Sequence, residues 1–280
     1  MKIYAVANQK GGVGKTTSVI NIGAFLASFG WRVLVVDMDP QSNATSGLGF
    51  DKNAVAQSTY HLLLQEADFE DVALQHGELG LTLLPANPEL SGAEVELVNE
   101  MAREYRLKQA LAPLEGRFDY VLVDCPPSLS LLTINALTAA RDGVLIPVQC
   151  EYLALEGLSQ LMHTINMVKR YLNERLEIRG MVMTMYDSRT NLSRQVVEEV
   201  RAHFPDKVFR TIIPRNVRLS EAPSYGQPIN LYDPSSPGAM AYRVLTAELL
   251  KGDGVPLQRP MQAKALTGKG LNKSSKGFKS

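Results

Sequence analysis

The sequence predicts an α/β fold built on a mostly parallel, doubly wound sheet, and three observations carry that prediction. Short runs of Val, Leu and Ile alternate with longer amphipathic stretches along most of the chain. Strand, helix, strand in alternation places helices on both faces of one sheet. Several short runs, such as VLVVD at 33–37 and YVLVD at 120–124, are almost wholly apolar, as strands buried on both faces must be. The first strand feeds a glycine-rich turn that opens a helix.

In chain order, the candidate strands are residues 3–7, 33–37, 81–85, 120–124, 143–148, 180–184 and 208–213. Helical stretches include 16–29, 129–140, 155–171 and 191–203, and crossovers between parallel strands should be right-handed. Residues 51–117 are less regular, with one long polar helix candidate at 89–111, and are read as part of the same domain. That domain is expected to span residues 1–250. From 251 to 280 the chain is rich in Gly, Ser, Pro and Lys, with seven basic residues and a single acid, Asp253. Such a tail has too few apolar residues to fold alone. It reads either as a solvated, disordered end or as a binding arm.

Composition narrows the function. Hydrophobic residues are 45% and charged residues 21%, which rules out wholesale disorder. Lys+Arg and Asp+Glu are 29 each, so a globally basic nucleic-acid binder is excluded and any such contact needs a local patch. The tail's net charge of +6 leaves −6 on residues 1–250. Two cysteines, Cys125 and Cys150, cannot build a disulfide scaffold or a four-thiolate metal site within one chain. They point to a reducing, cytoplasmic compartment. With no apolar run near ~18 residues, neither a signal peptide nor a membrane span is expected.

The strongest motif is Lys10-Gly11-Gly12-Val13-Gly14-Lys15-Thr16-Thr17. Glycines let backbone N–H groups close round an anion, and the helix N-terminus adds partial positive charge. Lys15 can reach β- and γ-phosphate oxygens, and the Thr16 hydroxyl can ligate Mg²⁺. The pattern departs from the ordinary phosphate loop, which wants Gly where this chain has Gln9, and it carries a second lysine, Lys10. Lys10 reads either as a merely solvated lysine or as a cation directed to another subunit's nucleotide.

Two strands end in acids, on the edge where doubly wound sheets bind ligands. Asp37 and Asp39 close one; Asp124 closes the other. Beside a phosphate loop, Asp124 is the candidate Mg²⁺ carboxylate. Asp39, at the end of what should be the adjacent strand, is the candidate for orienting the attacking water. The following loops, 40–49 and 126–132, are natural γ-phosphate sensors.

The segments KGGVGKTT, VDMDPQSNATSGLG, DYVLVDCPPSLSLLTINAL, VQCEYLALEGLSQL, TMYDSRTNLS and IIPRNVRLSEAPSYGQPI closely resemble the ParA/Soj-type chromosome- and plasmid-partition ATPases. These form part of the deviant Walker A group of P-loop NTPases, with MinD and the nitrogenase iron protein as relatives. The resemblance covers about residues 2–250. It implies an ATP-driven sandwich homodimer in which Lys10 reaches the partner's phosphates. It also implies sequence-independent binding to double-stranded DNA and slow, Mg²⁺-dependent hydrolysis stimulated by a ParB-type partner. Carried over by motif, the loop residues from Lys10 to Thr17 bind ATP, Thr16 and Asp124 hold the metal, and Asp39 serves hydrolysis. Pro214, Arg215 and Asn216 fall where relatives contact adenine. Glu151 is read either as a helper at the dimer interface or as a helix cap.

Residues 165–220 hold eleven Lys/Arg and six acids, a basic patch in an acidic body. The resemblance points within it to Arg189 and Arg218 for DNA, which implies association with the nucleoid. Such contacts are salt-sensitive and sequence-blind. The loop begins too early for an N-terminal helix-turn-helix of the kind found in repressor relatives. Among alternatives, a MinD-like membrane-surface ATPase needs a C-terminal amphipathic helix, which the Gly- and Lys-rich end does not offer. An iron–sulfur reductase would need Cys125 and Cys150 as thiolates. A DNA scaffold that binds nucleotide without hydrolysing it would not need Asp39 and Asp124 beside Lys15.

Overall fold

Strands that are apolar on both faces take the middle of the sheet. β2 (Val33–Asp37) and β5 (Tyr120–Asp124) are buried at every residue, and β1 (Lys2–Val6) at all but its first. The computed structural model describes residues 1–152 and 154–257. With β3 (Leu74–His76), β4 (Leu81–Leu84), β6 (Gly143–Gln149) and β7 (Ile178–Thr184), the strands form one sheet in the order β3-β4-β2-β5-β1-β6-β7. Every pairing is parallel except β3–β4. The sheet is therefore the mostly parallel one expected, with a short antiparallel edge that the sequence reading missed. Three residues are too few for a periodicity to register.

Side-chain alternation splits the core in two. Tyr4, Val6, Val33, Val35, Tyr120 and Leu122 face one layer, where the helices Lys15–Ser28 and Pro237–Gly252 pack together. Ile3, Ala5, Leu34, Val36, Val121 and Val123 face the other, covered by the helices Leu131–Ala139, Ala154–Tyr171 and Asn191–His203.

Three expectations are corrected. Strand β5 lies between β1 and β2, so Asp39 does not follow the strand next to β1. The segment 208–213 is not a strand. Its backbone meets β7 at scattered points, an isolated bridge between Met181 and Val208 and the Phe209 and Ile213 amides on the Met181 and Met183 carbonyls at 3.0 and 2.8 Å, and the Phe209 ring packs against Gly180. A Cβ at Gly180 would lie 2.3 Å from the Phe209 ring. The helix expected at 89–111 is broken into Leu90–Glu96, Leu97–Asn99, Arg103–Tyr105 and Arg106–Leu111. Ala102 adopts a left-handed φ of 55° at the break, and Asn135 Nδ2 donates to the Arg103 carbonyl at 2.8 Å, a long-range bond that local sequence does not encode.

The last helix runs to Gly252, and Asp253 is anchored beyond it. Its carboxylate accepts the Tyr4 hydroxyl at 2.7 Å, the Tyr120 hydroxyl at 3.0 Å and Arg179 Nε at 2.9 Å. Burial, reinforced by this carboxylate, pushes both phenols far above their ordinary pKa. The packed fold thus extends past the predicted start of the tail; residues 258–280, the bulk of that tail, lie outside the described residues. Asp253→Ala would leave a largely buried guanidinium and two phenols without their acceptor. It is expected to destabilise the chain by about 2–3 kcal/mol, read as a lower urea midpoint at unchanged m. An unchanged midpoint would show that the carboxylate anchors nothing.

Candidate functional site

The glycine-rich turn leaves β1 at the edge where the parallel strands end. Gly12 and Gly14 take left-handed φ values of 74° and 89°, conformations that cost any other residue but Asn or Asp substantially. Gly14 is the N-cap of the helix Lys15–Ser28 and supplies no side-chain cap, and the first turn holds no acid. The amides of this helix end are thus left for an external anion. Lys15 is 7% exposed and its Nζ donates to the Lys10 carbonyl at 3.1 Å, curling back over the turn. Burial lowers its pKa, while Asp124, Cys125 and Asp39 pull it back up.

Parallel register sets Asp37 directly beside Asp124, and the two do different work. Asp37 is fully bonded: it accepts the Asp39 amide at 3.1 Å and both the amide and hydroxyl of Thr45 at 2.8 Å. Thr45 in turn takes the Ala86 amide at 3.0 Å. Asp37 therefore holds the chain from 38 to 45 against the sheet, a role the sequence reading did not assign. The VDMD spelling marked a carboxylate pair without saying which member was structural. Asp39 is 6% exposed and accepts the Gln41 amide at 2.9 Å.

Asp124 is wholly buried, and neither carboxylate oxygen has a hydrogen-bond partner among the described residues. Burial and the neighbouring Asp37 and Asp39 push its pKa well above the carboxylate range; the Thr16 hydroxyl and Lys15 offset this only in part. Burial likewise lifts Asp37 to about 6. Two orphaned oxygens next to a threonine hydroxyl at an anion-binding turn are a donor set that fits a hard cation with its waters. Cys125 and Cys150 are both buried, and burial raises both thiols, Cys150 to about 12.

A cavity of ≈ 320 Å³ opens beside the turn, lined by Gly14 and Thr17 on one side and by Pro214, Arg215 and Asn216 on the other. Asn216 caps the helix Val217–Glu221, and the Arg215 amide donates to the Tyr186 carbonyl at 2.9 Å, which fixes this wall to the end of β7. The cavity joins three residues picked from the resemblance to the phosphate turn in one continuous space.

Lys10 is one-third exposed, with Nζ 3.5 Å from Glu151 Oε2. Glu151 is held by the Gln149 amide at 2.6 Å. Arg189 pairs with Asp187 at 2.6 Å, and Arg218 pairs with Glu221 at 2.8 Å. The basic residues of 165–220 do not form one patch. Arg189, Arg215 and Arg218 follow the C-terminal end of β7, on the side of the glycine turn. Lys169 instead binds Glu177, Lys207 the Ile178 carbonyl, and Arg179 Asp253, all at the opposite end. The net charge read from sequence was right, but the topology distributes it.

Residues 1–178 match the family model described as an AAA domain. The chain is 57% identical over 248 residues to the sporulation initiation inhibitor protein Soj of Bacillus subtilis strain 168, covering 89% of this chain and 98% of that one. It is 56% identical over 253 residues to the chromosome partitioning protein ParA of Myxococcus xanthus, covering 90% and 89%. Among solved structures it superposes, with a TM-score of 0.80 and 41% identity, on a cobyrinic acid a,c-diamide synthase of Mycobacterium smegmatis with bound ATP analog and magnesium, over 94% of this chain and 100% of that one.

Asp37 and Asp124 hold protons more tightly folded than unfolded, since burial raises both. Their contribution to stability is thus full below about pH 4 and is lost as pH rises through about 6 and beyond. Without nucleotide or magnesium, Asp124→Asn should flatten this fall and raise the unfolding midpoint relative to wild type at pH 7–8 more than at pH 4–5. Parallel urea titrations across that range check it; a constant difference would mean the carboxylates are not strained.

Proposed function

The chain belongs to the ParA/Soj family of chromosome-partitioning ATPases, and from that premise we propose that it is an ATP-switched, DNA-associated partition motor whose active form is a homodimer. The observation that carries the reading is Asp124, a buried carboxylate with neither oxygen hydrogen-bonded among the described residues, beside Lys15 and a helix end without a side-chain cap. A folded chain keeps such a liability where a ligand relieves it. The M. smegmatis neighbour with ATP analog and magnesium supports ATP and Mg²⁺ as that ligand.

In this reading the triphosphate lies along the turn from Lys10 to Thr17, with Lys15 on its terminal phosphates. The base occupies the cavity between Thr17 and the Pro214–Asn216 wall. Thr16 and Asp124 would hold Mg²⁺, which supplies neutralisation of phosphate charge. Asp39, fixed through Asp37, orients the attacking water. Phosphoryl transfer asks mainly for positioning and charge, so intrinsic turnover is weak until the site is completed from outside.

Completion comes from the second subunit. Lys10 is not needed to cradle its own phosphates, and among the described residues its ammonium is held by an exposed ion pair to Glu151, a bond of small worth. Released, it reaches the partner's nucleotide. The dimer binds duplex DNA without sequence preference through arginines on the nucleotide side, Arg189 and Arg218 among them, and pairing two subunits multiplies weak phosphate contacts. A ParB-type partner accelerates hydrolysis and resets the cycle on the nucleoid. No helix among the described residues is long and apolar enough to cross a membrane.

Light scattering with a non-hydrolysable ATP analogue and magnesium tests the core of this reading: dimers in wild type, monomers that still bind nucleotide in Lys10→Ala. A wild type that stays monomeric at saturation would sink it. Asp39→Ala should bind ATP and dimerise yet turn over about 100-fold more slowly. Undiminished phosphate release would remove Asp39 from the chemistry.

A further inference from the structure

One buried contact reaches the glycine turn from a distant strand. Thr184, the last residue of β7 and 2% exposed, donates its hydroxyl to the Val13 carbonyl at 2.9 Å. Its methyl would lie 3.8 Å from a Cβ at Gly14. The same residue lines the cavity whose far wall is Pro214, Arg215 and Asn216. We propose that Thr184 is the positioning residue of the phosphate turn, fixing the direction of the Gly14 N–H and coupling the turn to the base cavity. This deepens the reading of the cavity and turn as an ATP site and rests on it.

The argument is one of peptide geometry. In a trans peptide the carbonyl of one residue and the N–H of the next point in opposite directions within one plane, and the Val13–Gly14 bond, like every other among the described residues, is trans. Holding the Val13 carbonyl toward β7 therefore turns the Gly14 N–H away from β7. That N–H meets no acceptor among the described residues. The peptide joins Val13 to Gly14, whose left-handed φ of 89° is open to glycine at little cost, so the plane can turn on its Gly14 side. The hydroxyl of Thr184 restrains it from the Val13 side. The next residue, Met185, takes a left-handed φ of 53° and also lines the cavity. The chain after β7 thus turns from the phosphate contact directly into the base wall.

The test compares Thr184→Val, which keeps shape and branching but lacks the donor, with Thr184→Ser, which keeps the donor. The probe is a fluorescent ATP analogue with magnesium, alongside urea unfolding in the absence of nucleotide. Expected is roughly tenfold weaker binding in the valine variant at an unfolding midpoint close to wild type, with near wild-type affinity restored by serine. Equal binding by all three would overturn the assignment of Thr184 and leave the ATP site standing. Weakened binding that tracks a lowered midpoint, or that serine fails to rescue, would also overturn it, by making the residue a packing element. If wild type itself fails to bind the analogue, the ATP-site reading falls and takes this inference with it.

Discussion

The site depends on charge that the fold buries and does not satisfy. Asp124 sits in the middle of the sheet edge with no hydrogen bond to either oxygen among the described residues, beside Asp37 by strand register. Carboxylates this close and this buried cannot both ionise cheaply. The chain answers in two ways. It satisfies Asp37 completely, with three hydrogen bonds that tie down the loop carrying Asp39. It leaves Asp124 bare, faced by the Thr16 hydroxyl and the Lys15 ammonium. One carboxylate is scaffold and its neighbour is left open, and the difference lies in what each is bonded to.

Strand order makes this possible. With β5 inserted between β1 and β2, the turn that follows β1 and the two acids that end β2 and β5 come to one edge on adjacent or next-adjacent strands. Rigid, fully buried strands then hold groups that attract and repel each other at fixed separation, the condition for electrostatic preorganisation. The helix Lys15–Ser28 is anchored from behind by Ser18 against Tyr242 at 3.0 Å and by Asn21 against the Ile229 amide at 2.7 Å, so its uncapped end does not swing.

Much of this was legible in the sequence because it is local. The turn from Lys10 to Thr17 announces itself by residue type, and VLVVD and YVLVD announce buried strands with acids at their ends. What failed was everything set by distant partners. The segment 208–213 has strand-like composition, but it meets β7 through scattered backbone bonds rather than a continuous ladder. The polar run 89–111 has helical composition, but Asn135 donates to a carbonyl at its break. The roles of Thr184 and Asp37 depend on what lies opposite, which no spacing rule records. The basic residues of 165–220 were counted correctly and grouped wrongly, since β7 carries its two ends to opposite sides of the molecule.

Magnitudes separate the contacts that hold the chain's shape from those that are free to change partners. The ion pairs of Lys10, Arg189 and Arg218 are all at the surface, where water and salt screen them and exchange for an equivalent partner costs little. The bonds of Asp37, Thr45 and Thr184 are buried, and losing one strands a polar group with nothing to replace it. A nucleotide or a second subunit can therefore recruit the first group without disturbing the second. The molecule is soft at its charged lip and stiff one layer beneath, so the cations at its rim can change partners while the turn under them keeps its shape.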